Sequence, residues 1–140
     1  MIRFTVPGKP KALKRHRVTV NGRMYDPSSR DKQEIWLQIA QYKPKQPLGG
    51  DIYMRVTFYM PRLKHHFKQS AGKPTKIVKD TYKGLILYSH KPDLDNLLKM
   101  YMDIIQGKDR MIIDDSQICT IRAEKLYGEP RTEIYIEEIY

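Results

Sequence analysis

The sequence predicts an α+β fold, a mixed β-sheet with two main helices packed on it, in a single compact domain. Two observations lead to this fold class. Four segments alternate apolar and polar residues, as half-buried strands do, and two segments carry apolar residues at helical spacing. A length of 140 residues without repeats or a linker suits one domain, so residues 1–140 are taken as one unit.

The first elements are a strand and a basic loop. Apolar and polar residues alternate over residues 2–6, and Pro7 ends this strand. Residues 7–30 are rich in Lys and Arg and predict a flexible basic loop. Within it, the dipeptide Asn21-Gly22 favours a tight turn between two short strands.

The middle of the chain predicts a helix, a strand and a second loop. The helix spans about residues 30–42. Its buried face would contain Ile35, Trp36 and Ile39, with Tyr42 as a further candidate. Residues 51–59 alternate regularly and predict a strand. The length and basic composition of residues 61–84 predict a second flexible loop, which can contain a short helical or strand piece.

The last part of the chain predicts a helix and a hairpin. The helix spans about residues 94–106 and ends at Gly107. Its apolar face would contain Leu94, Leu97, Leu98, Tyr101, Ile104 and Ile105. Residues 117–126 and 132–139 predict two strands paired as a hairpin. Cys119 lies in the first of them and is expected to be a small core residue.

The charge of the chain points to a polyanionic partner. The 26 Lys and Arg residues outnumber the 16 Asp and Glu residues and give a net charge of +10. Nucleic acid and an anionic membrane surface are the two main candidates. No long apolar segment or basic amphipathic helix is present, so nucleic acid is favoured and no membrane partner is expected.

The sequence also bounds the compartment and excludes some classes of site. The opening MIRFTVPGKP has no apolar signal-peptide stretch, and a cytoplasmic protein is expected. A single cysteine excludes an internal disulfide framework and a cysteine-rich zinc cluster. The four histidines do not form a convincing zinc set, and the tyrosines mostly alternate with apolar strand residues, which favours core packing over base stacking.

Acidic residues concentrate in one segment of this basic chain. Asp93 and Asp95 stand at the start of the second helix, with Lys99 four residues after Asp95, and Asp114 and Asp115 follow a short loop. Two carboxylates 4 Å apart repel by roughly 1 kcal/mol in water and about 4 kcal/mol at an effective dielectric of 20. A hard divalent cation would offset that repulsion. Such a site suits hydrolysis of a phosphodiester, with the lysine stabilising negative charge on the phosphate.

A structural interpretation of the same residues is also open. Asp93 is a good helix N-cap, Asp95 and Lys99 can form an ordinary surface ion pair, and the second acidic pair can be a turn. A non-catalytic nucleic-acid-binding module is therefore the alternative function. Another type of metal nuclease, with Pro92-Asp93 opening its motif, is weak because no acid-x-Lys follows on a later strand.

The acidic segment resembles the signature of the RusA family of Holliday junction resolvases. The matching residues are Asp93, Asp95, Asn96, Leu97, Lys99 and Asp103, then Ile113, Asp114, Asp115, Gln117 and Ile118. The resemblance implies a Mg²⁺-dependent homodimeric endodeoxyribonuclease, bacterial or phage-encoded, in which Mn²⁺ can substitute. Its substrate would be branched DNA, a four-way junction cut by paired hydrolysis in recombination and repair.

The resemblance also assigns residues. The metal-binding carboxylates fall on Asp93, Asp95 and Asp115, with Asp114 as the alternative to Asp115, and the catalytic lysine falls on Lys99. Asn96 belongs to the motif, and Asp103 is interpreted as orienting Lys99 from one helical turn away. The basic DNA-contacting residues of the family correspond to Arg15 and Arg17, and Lys91 beside the motif is a further candidate.

Overall fold

The computed structural model describes residues 1–84 and 86–139 and confirms the predicted fold class. The elements are β1 (Ile2–Pro7), β2 (Arg17–Val18), β3 (Met24–Tyr25), α1 (Ser29–Ile39), β4 (Asp51–Met60), β5 (Phe67–Ser70), β6 (Lys73–Val78), α2 (Leu94–Ile105), β7 (Ile118–Tyr127) and β8 (Arg131–Ile139). A mixed four-stranded sheet carries α1 and α2, and β2–β3 and β5–β6 form two small hairpins. No helix in the described residues is long and apolar enough to cross a membrane.

The order of strands in the main sheet is β1-β8-β4-β7. Strand β4 pairs antiparallel with β8 and parallel with β7. The predicted hairpin between the last two strands is therefore wrong, because β4 lies between them. Every second residue of β4 is buried, because one face of this strand packs against the core.

The short connection between β7 and β8 passes over the end of β4. The N–H of Gly128 donates to the carbonyl oxygen of Met60 at 2.9 Å. A Cβ at Gly128 would lie 2.7 Å from the Tyr59 ring, so the connection needs glycine to cross this closely. The glycine and proline between β7 and β8, which suggested a hairpin, thus form a connection that crosses the end of β4.

The core lies between the helices and one face of the sheet. Helix α2 buries Leu97, Met100, Tyr101, Ile104 and Ile105. Four of these were predicted, whereas Leu94 and Leu98 are only partly buried. Gly107 ends the helix as predicted, with a φ of +130°. Full burial of each large apolar side chain contributes about 1.5–3 kcal/mol, and this packing fixes the orientation of α2.

The two segments predicted as basic loops each contain a short hairpin. The predicted turn at Asn21-Gly22 joins β2 to β3, which confirms that expectation. Residues 61–84, expected to be a loop that can contain a short helical or strand piece, contain the β5–β6 hairpin. Buried His66, just before β5, stacks on Tyr82, which follows β6, with 4.5 Å between the ring centroids. This contact anchors the two ends of the hairpin to each other.

Strand β7 forms an incompletely covered edge of the sheet. Cys119 is exposed, so its predicted place in the core is wrong. Ile121, whose partner Met54 is fully buried, keeps 39% of its surface exposed. The physical reason is the position of β7 at the sheet edge, where a neighbour is present on only one side.

Candidate active site

The N-terminus of α2 presents the first acidic pair. Asp93 occupies the N-cap position, and its carbonyl oxygen accepts from the N–H of Leu97 at 3.2 Å. Its carboxylate makes no capping hydrogen bond. The structural interpretation of Asp93 as a side-chain cap is therefore not realised, and the carboxylate is available to a ligand.

Asp95 and Lys99 form a long, exposed ion pair one helical turn apart. The Nζ of Lys99 lies 3.9 Å from the Asp95 carboxylate. The side chain of Lys99 is 60% exposed, and that of Asp95 is 68% exposed. Pairs of this kind contribute about 0–1 kcal/mol. The ion pair is thus too weak to account for these residues by stability alone, and both charges remain accessible.

An open cleft of about 350 Å³ joins these residues to the basic loop. It is lined by Leu13, Lys14, Arg15, His16, Asp93, Asp95, Asn96 and Lys99. The fold therefore brings predicted Arg15 next to four predicted residues of the acidic motif. Lys14 and His16 were missed, although the basic run that contains Arg15 could have indicated Lys14. The other two predicted DNA contacts, Arg17 and Lys91, are exposed outside this cleft.

Three backbone hydrogen bonds attach the basic segment of residues 11–16 to the helices. The N–H of Leu13 donates to the Asn96 carbonyl oxygen at 3.0 Å. The N–H of Lys14 donates to the hydroxyl of fully buried Ser28 at 2.9 Å. The N–H of Lys11 donates to the Tyr101 hydroxyl at 3.2 Å. The position of Arg15 over α2 is thus set by neighbours remote in sequence.

Lys125 on β7 holds the segment that leads into Asp93. Its Nζ donates to the carbonyl oxygens of His90 and Pro92, both at 2.8 Å. The Tyr88 hydroxyl donates to the Lys91 carbonyl oxygen, also at 2.8 Å. Sequence reasoning missed Lys125, because nothing in the local sequence shows that β7 lies beside this segment.

The second acidic pair lies at the opposite end of α2. The N–H of Asp115 donates to the side-chain oxygen of Gln106, the C-cap of the helix, at 2.9 Å. A helix of 12 residues is about 18 Å long, which separates Asp115 from Asp93 within one chain. In the described residues, no group of three or more His, Cys, Asp or Glu side chains is close enough together to hold a metal ion.

The two members of the second pair differ in their surroundings. They belong to a turn before β7 rather than to the strand itself. The Asp114 carboxylate accepts the Ser116 N–H at 3.0 Å, and hydrogen bonds from the side chain and backbone of Ser116 hold the pKa of Asp114 below its usual value. The turn interpretation is thus realised for Asp114, while Asp115 contributes only its backbone to such bonds.

Asp103 does not contact Lys99 as expected. Its carboxylate lies 3.1 Å from the Nζ of Lys32, which also contacts Asp26 at 2.7 Å. Partial burial opposes the charge of Lys32, but hydrogen bonds to both carboxylates outweigh it and raise the pKa of the lysine. Asp103 therefore links α2 to α1 in this structure, and the orienting role expected for it is not seen.

The donor chemistry of the cleft fits a hard divalent cation. Asp93 and Asp95 supply exposed carboxylate oxygens. Mg²⁺ typically takes one or two carboxylates and keeps several water ligands. Two carboxylates beside three basic side chains, in a protein of net charge +10, are typical of an enzyme that acts on nucleic-acid phosphodiesters.

Comparison with known proteins identifies the family. The model of the endodeoxyribonuclease RusA family matches residues 7–137, and the chain belongs to this family. The chain is also 33% identical over 144 residues to YqaN of Bacillus subtilis (strain 168), named only as an uncharacterized protein. That alignment covers 99% of this chain and 96% of YqaN. Members of the RusA family are bacterial or phage endonucleases that act on branched DNA junctions and are generally dependent on divalent metals.

Proposed function

We propose that this protein is a Mg²⁺-dependent endonuclease, active also with Mn²⁺, that resolves four-way DNA junctions by paired phosphodiester hydrolysis in recombination and repair. The observation that carries the proposal is the Asp93 carboxylate. It stands at an N-cap without capping the helix, and it lines one cleft together with Asp95, Lys99 and Arg15.

Each residue of the cleft has a role in this proposal. Asp93 and Asp95 hold the divalent ion, which when bound neutralises the phosphate and lowers the pKa of a coordinated water. Lys99 stabilises the negative charge that develops on the phosphate oxygens. Arg15 binds a neighbouring phosphate, and Arg17 and Lys91 bind phosphates farther from the cut.

We further propose a homodimer in which the partner protomer supplies the third carboxylate. Within one chain, Asp115 lies a helix length away from Asp93. Two α2 helices crossing antiparallel about a two-fold axis would bring the end that carries Asp115 next to the partner's Asp93. Partly or largely exposed apolar side chains along α2, along β7 and in the segment between them support this interface. They are Leu98, Met102, Ile113 and Ile121.

Cleavage of labelled DNA tests the proposed activity. Four-way, Y-shaped and linear DNAs of matched sequence are incubated with the protein in Mg²⁺, in Mn²⁺ and in EDTA. We expect paired nicks in the four-way DNA with either metal and none in EDTA. Binding of the four-way DNA without any cleavage in Mg²⁺ or Mn²⁺ would instead establish the non-catalytic binding module.

A further inference from the structure

The face of the main sheet that points away from the helices carries a row of basic and aromatic side chains. Tyr135 on β8 pairs with Arg3 on β1 and with Arg55 on β4. Arg55 in turn pairs with Arg122 on β7. In β1, β8 and β4, the residues immediately before and after Arg3, Tyr135 and Arg55 are buried. The row therefore lies on the open face and crosses all four strands.

The centre of this row is built around Tyr135. The guanidinium carbons of Arg3 and Arg55 each lie 5.2 Å from the centroid of its ring, within the range of a cation–π contact. A cleft of about 280 Å³ opens beside the three side chains. The next row of side chains, Thr5, Glu133 and Thr57, also lines this cleft, together with Phe4 and Ile134.

Charges on this face leave two arginines without a carboxylate partner. Glu133 is held by Arg131 at 2.7 Å, and Glu124 is held by Arg122 at 3.1 Å. The third carboxylate, Glu137, accepts from the Tyr135 hydroxyl at 2.9 Å. Across residues 1–84 and 86–139, no ion pair involves Arg3 or Arg55. The positive charge of these two guanidiniums is thus available to a polyanion.

Three tyrosines make this surface aromatic as well as basic. Tyr53 lies edge-on to Tyr135, with 6.2 Å between the ring centroids. The guanidinium carbon of Arg131 lies 3.6 Å from the centroid of the Tyr59 ring. The expectation that the tyrosines pack in the core is therefore wrong for these three. The reason is their alternation with buried residues, which places them on the opposite, open face of the same strands.

We infer that the row Arg3–Tyr135–Arg55–Arg122 is a second DNA-binding surface, which takes a single strand of DNA across the sheet. Four strands spaced about 4.8 Å apart give a span of roughly 14 Å. On comparable sheets, single-stranded nucleic acid stacks two or three bases. Arg3 and Arg55 bind phosphates, and unpaired bases stack on Tyr135 and Tyr53.

This surface lies on the other side of the sheet from α2, and hence from the proposed catalytic cleft. An unpaired strand held there would anchor branched DNA independently of the phosphate being cut. The inference adds to the proposed function without requiring it, because strand binding on this face needs neither the metal nor the acidic pair.

Binding of a fluorescent oligothymidine, measured by anisotropy in EDTA, tests the inference. The variants are Arg3→Gln/Arg55→Gln and Tyr135→Leu. The control is Lys45→Gln/Lys108→Gln, which removes the same two positive charges as the arginine variant. The two control lysines are exposed and form no ion pair in the described structure. Thermal unfolding of every variant verifies that it is folded.

We expect Arg3→Gln/Arg55→Gln and Tyr135→Leu each to weaken binding about fivefold or more, which is the lower end of the effect of losing one stacked base. The control should change affinity less than twofold, and a 4-thiothymidine oligonucleotide should cross-link to β8 or β4. Equal losses in variants and control, cross-links confined to residues 11–16, or binding of an acidic peptide but not the oligonucleotide would overturn the inference. Because no cleavage is measured, these outcomes are independent of the junction-cutting test.

Discussion

Asp93 stands where an aspartate usually caps a helix, yet its carboxylate makes no such bond. We therefore expect Asp93→Asn to abolish junction cleavage while junction binding stays near the wild-type level, because affinity comes from the basic surface and the amide is a poor metal ligand. Gel-shift and cleavage assays on the same four-way DNA measure both. Asp80→Asn, in an exposed pair with Lys83, is the control and should cut normally. Near wild-type cutting by Asp93→Asn would show that the proposed site is wrong.

Lys99 tests the electrostatic part of the same site. Its ion pair with Asp95 is long and exposed, so Lys99→Ala should change the free energy of unfolding little. Single-turnover cleavage should slow by roughly 10²–10³, the scale for loss of a group that stabilises transition-state charge. The Mg²⁺ concentration needed for half-maximal rate should be nearly unchanged. A rate equal to that of the exposed-lysine control Lys108→Ala would leave Lys99 as a surface ion-pair residue.

At the scale of elements, Lys125 couples strand β7 to the start of α2. Lys125→Met removes two hydrogen bonds to the carbonyl oxygens of His90 and Pro92. Each charged hydrogen bond contributes about 1.5–3 kcal/mol, so this segment should loosen. We expect faster amide hydrogen exchange in residues 88–93 and slower cleavage. Exposed Lys76→Met is the control, and unchanged exchange in this segment would contradict the positioning role.

The β5–β6 hairpin should respond to acid through His66. Burial lowers the pKa of His66 below its ordinary 6.5, and the nearby charges of His65 and Arg62 lower it further. His66 therefore has a lower pKa in the folded protein than in the unfolded chain. Above the unfolded pKa, neutral His66 costs the folded protein nothing. As pH falls from there through the folded pKa, the unfolded chain binds the proton more readily, and the folded protein loses stability. Stability should therefore decrease as pH drops below about 6.5.

Asparagine at this position separates titration from hydrogen bonding. The ring Nδ1 of His66 accepts from the Leu63 N–H at 3.3 Å, and an asparagine oxygen can take that place without titrating. We expect His66→Asn to be less stable than wild type at pH 7.5, because the stacking on Tyr82 is lost, yet to lose less stability on acidification. Urea unfolding between pH 7.5 and 5 measures this. An identical pH dependence in both proteins would place the acid sensitivity elsewhere.

At the scale of the whole molecule, the separation of Asp93 from Asp115 predicts complementation between protomers. Asp93→Asn and Asp115→Asn proteins should each be inactive alone. A mixed dimer contains one intact site, formed by Asp93 of one chain and Asp115 of the other, and should nick one strand. A mixture of Asp93→Asn with Asp95→Asn is the control and should stay inactive, because both residues belong to the same half of the site.

The assembly itself has a direct measurement. Light scattering at micromolar concentration should report about twice the chain mass of 16.6 kDa. A strict monomer, both free and on junction DNA, would contradict the homodimer and the shared site together. It would also argue against paired incision, which needs two sites related by the near two-fold symmetry of the junction.

The sequence by itself determined the features that depend on neighbours within one helical turn or one strand. The spacing of apolar residues located α2 to within one residue of its observed Leu94–Ile105. The same local pattern placed Asp93, Asp95 and Lys99 on the first turns of that helix, and the excess of basic residues indicated a polyanionic partner. These features follow from backbone geometry and composition, which need no knowledge of distant residues.

Only the tertiary structure decided which remote segments meet. It inserted β4 between the last two strands, placed Arg15 beside α2, and gave Asp103 to Lys32 rather than to Lys99. It also set Asp115 at the far end of α2 from Asp93. Strand order and side-chain partners depend on how whole apolar faces pack against each other. That packing is a property of the complete chain, and no local pattern of residues encodes it.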